Sequence, residues 1–422
     1  MPPTELRSRD TSQLVTESDD LLKSGKKLVG VNGNWYDVTN FIKIHPGGPI
    51  IEEFVGKDAT DVFLSNGHKG VLKRWRPVGT YQMKERHPAD KEFVELLNLF
   101  KSKGWFETSW TFYAGKLLFV YSLWTIVWGT LLLSENFYAH MAAGVVLAFF
   151  WQQTGFLMHE CMHTTVFRNG FRDRFAGLIL GTFNFGFSAH WWRDEHIVHH
   201  MMTNTVDSER RFADPQMWES VWAQNEKLYP LFGGLLQWCL VKIQHFTFIP
   251  MVTFIGRAEI IFDSYRVERR WYEWIAIVGH WCWMILMLSL LPNWKERIFF
   301  YCIAASVEGV FHFQLILSHY CKEFNEVSEF HKDSWYRFQI GSNMNIDSPT
   351  WLDWYYGGLN YHIEHHLYPL LGRRHLREAS KYVRKVCEKY DIEYDSCSMT
   401  RALIRTLSHL KTCGTHYKLS FY

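Results

Sequence analysis

Four stretches of about 20 mostly apolar residues, each long enough to cross a bilayer as a helix, run through the later part of this 422-residue chain. They fall into two pairs with very short links, and each pair predicts a helical hairpin that enters the bilayer and returns. Two further apolar stretches, 171–192 and 228–255, are interrupted by charged residues or proline, so we expect them to lie at the interface or against the bundle. The predicted spans are 110–133, 137–158, 271–291 and 298–318.

Three histidine clusters lie beside these apolar stretches: HECMH at 159–163, HIVHH at 196–200 and HIEHH at 362–366. Histidines three and four residues apart share one face of a helix, and each neutral ring offers a nitrogen to a metal. Two hairpins would return the chain to the same side, so all three clusters would meet there. Solvated surface histidines are the alternative, but they do not explain three clusters beside membrane-length segments. The predicted metal ligands are His159, His163, His196, His199, His200, His362, His365 and His366.

The N-terminal part of the chain is polar and has a different pattern. Residues 1–22 carry no apolar core and predict a disordered tail, residues 23–86 form a candidate soluble domain, and 87–109 predict a linker. The formal net charge of +2 gives no electrostatic reason to expect nucleic acid as a partner.

Two histidines in the soluble segment stand next to glycines. His45 begins the motif HPGG and His68 ends the motif NGH. A flat cofactor held from both faces would suit this pattern, because Gly47 and Gly48 let the backbone come close to a ring. Histidines in surface loops are the alternative on spacing alone.

The segment 23–86 resembles cytochrome b5 in the order of these motifs and in their residues. The resemblance implies a small α+β domain that binds haem b, with His45 and His68 as the two axial ligands. Such a haem has no open coordination position and serves in electron transfer.

Residues 110–422 resemble the membrane fatty acid desaturases, in particular the front-end group that carries a cytochrome b5 domain at its N-terminus. The resemblance rests on the three histidine clusters and on the third cluster's setting, GGLNYHIEHHLYP at 357–369. It implies two non-haem iron ions held by the clustered histidines, which would then be catalytic, with O2 as co-substrate and a fatty acyl group, on coenzyme A or on a lipid, as substrate. Imidazole also suits zinc and copper, but an attached haem is useful only to a redox metal. The chain shows no dinucleotide-binding fingerprint, so a separate NADH-cytochrome b5 reductase is the expected electron donor.

The predicted whole is therefore multidomain. A small α+β haem domain precedes an all-α membrane desaturase domain with four transmembrane helices in two hairpins and a cytosolic cap of histidine clusters. Membrane lipid surrounds the spans, and the basic run within 266–270 favours a cytosolic position for the clusters and both termini. The resemblance implies the endoplasmic reticulum membrane.

Several positions leave alternatives open. His319, after the fourth span, is either a further metal ligand or a histidine at a helix end. His362 stands where front-end desaturases usually carry glutamine, so the double-bond position cannot be transferred from that group. Glu308 and His312 line an acyl tunnel or form an interhelical hydrogen bond. A lipid hydroxylase and a non-catalytic haem protein with a desaturase-like anchor are the rival functions.

Overall fold

The computed structural model describes residues 25–68, 70–207, 209–210, 212–267, 270–327 and 334–418. The chain divides into two compact units, with the boundary between Val94 and Glu95. The predicted disordered tail, 1–22, lies outside the described residues.

The first unit mixes a small sheet with short helices, as the predicted α+β class requires. Strands β1, β2 and β3 form an antiparallel sheet in chain order, and Trp35 of β2 packs against Tyr81 with ring centres 4.7 Å apart. Apolar residues Leu28 and Phe54 are buried in its core. The elements are β1 Leu28–Val31, β2 Asn34–Asp37, the 3-10 helices Ile42–Ile44, Gly48–Phe54 and Val71–Arg74, α1 Thr60–Ser65 and β3 Gly79–Thr80.

The predicted linker, 87–109, is largely helical. Helix α2, Pro88–Ser102, begins with proline, which lacks the N–H that the first helical turn would leave unpaired. The boundary between the two units falls inside this helix.

The second unit is dominated by helices. Its long elements are α3 Trp110–Leu133, α4 Phe137–Met162, α5 Gly170–Gly177, a π-helix at Leu178–Phe185, α6 Ala189–Met201, α7 Leu235–Phe254, α8 Gly256–Arg266, α9 Trp271–Ser289 and α10 Trp294–Ile316.

Three helices in the described part of the chain, α3, α4 and α10, are long and apolar enough to cross a membrane. Helices α7 and α8 meet at a bend of 76°. Taken together as one bent segment they are also long and apolar enough to cross a membrane, which brings the number of candidate spans to four. The predicted span 271–291 forms α9, but this helix carries Glu273 and His280 and is not among the helices that qualify. The predicted stretch 171–192 is broken into short helices, as expected for a segment that does not span.

The helices of the first predicted hairpin pack against each other, whereas those of the second have other main packing partners. Helices α3 and α4 pack against each other across a three-residue link, and the side chain of Asn136 accepts hydrogen bonds from the first turn of α4. Helices α9 and α10 are also joined by a short link, but they pack mainly against different elements. Helix α9 lies on the π-helix, whereas α10 lies between α4 and α7. A short link makes helices neighbours in sequence, but surface complementarity selects the packing partner.

Close backbone packing holds α10 in place. A Cβ atom at Gly144 of α4 would lie 3.1 Å from the carbonyl oxygen of Phe300, and one at Gly309 of α10 would overlap the carbonyl oxygen of Thr253. Small residues therefore let α10 approach both neighbours. Helix α10 therefore packs closely on both α4 and α7, and the last turn of α4 carries the first histidine cluster.

The remaining chain forms a cap of short elements on the side where the clusters lie. Strand β4 pairs with β5 and β6, and β7 pairs in parallel with β8. The elements are β4 Thr205–Asp207, β5 Phe212–Ala213, the 3-10 helix Glu226–Leu231, β6 Asn325–Glu326, α11 Trp335–Gly341, β7 Asn345–Asp347, the 3-10 helix Thr350–Leu352, α12 Asp353–Tyr356, α13 His362–Leu367, the 3-10 helix Arg373–His375, α14 Leu376–Lys389, β8 Ser396–Ser398 and α15 Met399–His416.

Candidate metal centre and haem site

The three histidine clusters come from three different helices that converge. The first occupies the last turn of α4, the second lies on α6 and the third on the short helix α13. Helix α13 is fixed by Asn345, whose amide oxygen accepts the N–H of Ile363 at 2.9 Å and whose amide nitrogen donates to Glu364 at 2.8 Å. A buried ion pair between Glu160 of α4 and Arg373, at 2.9 Å, also joins the first cluster to the segment after the third.

Five of the predicted histidines form one group, in which one ring nitrogen from each lies within 4.8 Å of all the others. His196 is central. Its Nε2 lies 3.1 Å from Nε2 of His159, 3.0 Å from that of His163 and 3.0 Å from that of His200. His365 of α13 completes this first group.

Four more histidines form a second group on the same distance criterion: His199, His319, His362 and His366. Nε2 of His319 lies 2.7 Å from Nε2 of His362. The two groups are adjacent, since the rings of His200 and His366 stack with centres 4.1 Å apart. All eight predicted ligands and the additional candidate His319 are thus brought together, and His362 takes part although it stands at the glutamine position of the front-end group.

The Nδ1 atoms of several rings contact other side chains. These contacts point the Nε2 atom of each ring towards the centre of its group. Nδ1 of His199 lies 2.8 Å from Asp214, and Nδ1 of His196 lies 2.6 Å from Gln216. Gln339 contacts Nδ1 of His366 at 3.0 Å. Such partners fix the orientation of ligating histidines. The sequence does not reveal Gln216 or Gln339 as partners of the histidines, because no local motif marks a residue that acts across the fold.

The chemistry of the donor set fits metal ions. Among the described residues, Nε2 of His365 and Nε2 of His366 are buried without any hydrogen-bond partner. Burial lowers the pKa of His163 to about 3 and that of His362 to about 3, so these rings are neutral and keep a lone pair. Neutral rings packed nitrogen to nitrogen cannot all satisfy one another by hydrogen bonds, whereas a cation between them satisfies every one.

The two residues predicted to line an acyl tunnel lie on α10 away from both groups. Glu308 is buried and His312 is partly buried. Neither belongs to a histidine group. Their role as tunnel lining stays a prediction.

The first unit brings the rings of His45 and His68 close together with their planes parallel. Their rings are parallel within 7° and their centres lie 6.2 Å apart. Two imidazoles bound to opposite faces of one metal at ~2 Å hold their ring centres about 6 Å apart, so the spacing suits a haem iron. Nδ1 of His45 lies 3.1 Å from the carbonyl oxygen of Gly48, and Nδ1 of His68 lies 3.1 Å from that of Phe63, which leaves Nε2 for the metal.

The two predicted glycines act for different reasons. A Cβ atom at Gly47 would lie 2.8 Å from Cε1 of His45. Gly48 has open space around it but adopts φ +72°, a backbone conformation that side chains disfavour. Gly47 therefore provides room for the ring, and Gly48 provides the turn.

We expect Gly47→Ala to weaken haem retention by about tenfold or more, because the new methyl group must displace the His45 ring. Gly70→Ala is the matched control: its φ is +76° with open space around it, so it should cost about 1 kcal/mol of stability without disturbing either histidine. Haem loss to apomyoglobin, followed in the Soret band, measures the difference. Equal retention in both variants would contradict this role of Gly47.

We expect Asp214→Asn to lower metal occupancy and activity by about 10- to 100-fold, the usual cost of losing the partner of a ligating histidine. The Asp214 carboxylate also accepts the N–H of Asn204 at 2.9 Å, and the amide cannot hold both contacts in the same way. Metal analysis of purified protein measures occupancy. Asp207→Asn, at an exposed ion pair with Arg210 in the same cap, is the control that should leave it unchanged.

Two protein-family models match this chain, one in each unit. The model of the fatty acid desaturase family matches residues 136–398, and the model of the cytochrome b5-like heme/steroid binding domain matches residues 11–92.

Individual relatives align over nearly the whole chain. Delta(8)-fatty-acid desaturase 1 of Arabidopsis thaliana is 29% identical over 96% of this chain and 95% of its own length. Delta(8)-fatty-acid desaturase of Borago officinalis is 30% identical, with 92% and 91% covered. Delta(6)-fatty-acid desaturase fat-3 of Caenorhabditis elegans is 26% identical, with 92% and 96% covered.

Proposed function

Because this chain belongs to the fatty acid desaturase family and carries a fused cytochrome b5-like domain, we propose that its nine clustered histidines hold two iron ions that use dioxygen to desaturate a fatty acyl chain. The enzyme is an oxidoreductase and a multi-pass membrane protein. The observation that carries the proposal is the division of the histidines into two adjacent groups, each with ring nitrogens converging on one point.

Each histidine group has a role in the proposal. His159, His163, His196, His200 and His365 hold one ion, and His199, His319, His362 and His366 hold the other. Asp214, Gln216 and Gln339 keep the rings oriented, and the burial of the centre excludes bulk water. Bound iron supplies the oxidising power that no side chain has, which removal of hydrogen from an unactivated methylene requires. Zinc or copper would also fit the imidazoles, but zinc has no redox chemistry that a fused one-electron donor could serve.

The first unit supplies electrons in this scheme. His45 and His68 would hold a haem b from its two sides, and a haem held in this way would carry one electron at a time without binding dioxygen. Reduction of dioxygen to water takes four electrons: two would leave the acyl chain with its two hydrogens, and the haem domain would supply the other two. A separate NADH-cytochrome b5 reductase is the proposed source.

The proposed location is the endoplasmic reticulum membrane, with the histidine groups and both termini on the cytosolic side. The basic residues that follow α8 support this orientation, since positive charge favours the cytosolic side of a membrane. The reductase and the acyl substrate, on coenzyme A or on a lipid, would then meet the same face.

Lipid analysis of yeast that expresses the chain and is fed saturated and polyunsaturated acids tests the function. We expect a new acyl product two mass units lighter than its precursor and absent in the His365→Ala variant. A product sixteen units heavier would instead identify a hydroxylase. Absence of any product, with haem bound and protein in the membrane, would contradict desaturation of the acids supplied.

A further inference from the structure

A groove of about 440 Å³ lies in the cap beside the third histidine cluster. Asn345 and Tyr394 form part of its wall, and both donate hydrogen bonds to Glu364, at 2.8 Å each, on the helix that carries His362 and His365. Tyr361, which immediately precedes that cluster, also lines it. The groove therefore borders the helix that carries the third histidine cluster.

The groove is positively charged. Four basic and two acidic side chains line it, and most of them come from the exposed face of α14, whose opposite face is buried through Leu376 and Val383. Arg384 packs over the ring of Tyr394, with its guanidinium carbon 4.6 Å from the ring centre. Within the described residues, neither Arg384 nor Lys385 forms an ion pair, so their charges are available to a ligand.

A second, smaller groove of about 100 Å³ continues towards the membrane. It shares Tyr361 and Arg377 with the first and is bounded by Phe112 and Lys116 of the span α3. Arg377 is held at the junction by two hydrogen bonds to Asp353, at 2.6 and 2.8 Å. The two grooves together lead from the end of a membrane span, past the third cluster, to the basic face of α14.

We propose that these grooves bind the phosphate groups of the molecule that carries the acyl chain. The inference rests on the proposed function. A desaturase must fix one end of its substrate relative to the metals, because an acyl chain has no polar group near the reacting carbons to set their position. A phosphate ester suits the free Arg384 and Lys385, since charge-assisted hydrogen bonds to phosphate are strong and lysine and arginine both make them. Coenzyme A and a phospholipid headgroup share this chemistry.

The test is equilibrium binding to the purified full-length protein in detergent, with no reductant present. The probes are radiolabelled oleoyl-coenzyme A, dioleoyl phosphatidylcholine in mixed micelles, and oleate, which lacks phosphate. The variant is Arg384→Gln with Lys385→Gln. Its control is Arg401→Gln with Lys411→Gln, which removes two exposed charges from α15.

We expect the Arg384/Lys385 variant to bind one of the two phosphate-bearing probes roughly tenfold more weakly, as the loss of one or two charge-assisted contacts implies. The probe that is affected identifies the carrier, and oleate binding and the control variant should be unchanged. High salt should weaken wild-type binding of the same probe. Unchanged affinity for both phosphate-bearing probes, or an equal loss for oleate, would overturn the proposal. The assay involves no turnover, so failure of desaturation with binding intact would count against the proposed function and not against this site.

Discussion

Replacing His196 with alanine is expected to abolish desaturation, with activity falling by more than about 100-fold, and to remove metal from the first histidine group. The Nε2 atom of His196 lies 3.0 to 3.1 Å from a ring nitrogen of each of three other members, so its loss leaves all three without this shared neighbour. Loss of a direct metal ligand should lower activity by more than the 10- to 100-fold that is typical when only the hydrogen-bond partner of a ligand is lost. Metal content per haem and product formation are the two measurements.

The control for this variant is His416→Ala, which removes an exposed histidine paired with Glu226, distant in sequence from all three clusters. It should keep full metal content and activity. If His196→Ala retains normal metal content, the histidine groups are not the metal sites that we propose. Haem content should be unaffected in both variants, because the haem ligands belong to the other unit.

The second large effect is expected from His45→Ala. This change removes one of the two parallel rings in the first unit, so the Soret band of the six-coordinate haem should disappear. Turnover driven by NADH and the reductase should fall to background, because the haem is the proposed entry point for single electrons. Iron in the second unit should remain at its wild-type level.

A chemical reductant that bypasses the haem distinguishes loss of electron delivery from loss of the metal centre. Single-turnover product formation after direct reduction should persist in His45→Ala and be absent in His196→Ala. Loss of non-haem iron from His45→Ala would contradict the separation of the two cofactor sites.

The sequence alone identified histidines that the fold brings together, because their signal is local. Spacings of three and four residues place histidines on one helix face whatever the tertiary structure, and all eight predicted ligands fall within the two groups. His319 had no such spacing. Only the fold brings it to 2.7 Å from His362 and into the second group.

Helix packing was less predictable. The apolar length of α3, α4 and α10 was sufficient to identify them as spans, since the bilayer sets that length. Which helices pack together depends on small residues such as Gly144 and Gly309, and their effect appears only when the opposing backbone is known. For this reason the sequence did not show that α9 and α10 take different main packing partners. The orienting partners of the histidines, such as Gln339, were missed because they act between residues far apart in sequence.

We propose that the nine histidines hold two iron ions and that the first unit holds one haem. The most direct test is elemental analysis of the purified, full-length protein combined with haem quantification and Mössbauer spectroscopy of 57Fe-enriched samples. We predict two non-haem irons for each haem and spectra of a coupled pair, both lost in a variant that lacks His196 and His366. A single non-haem iron per haem, or zinc in both groups of an active preparation, would contradict the claim.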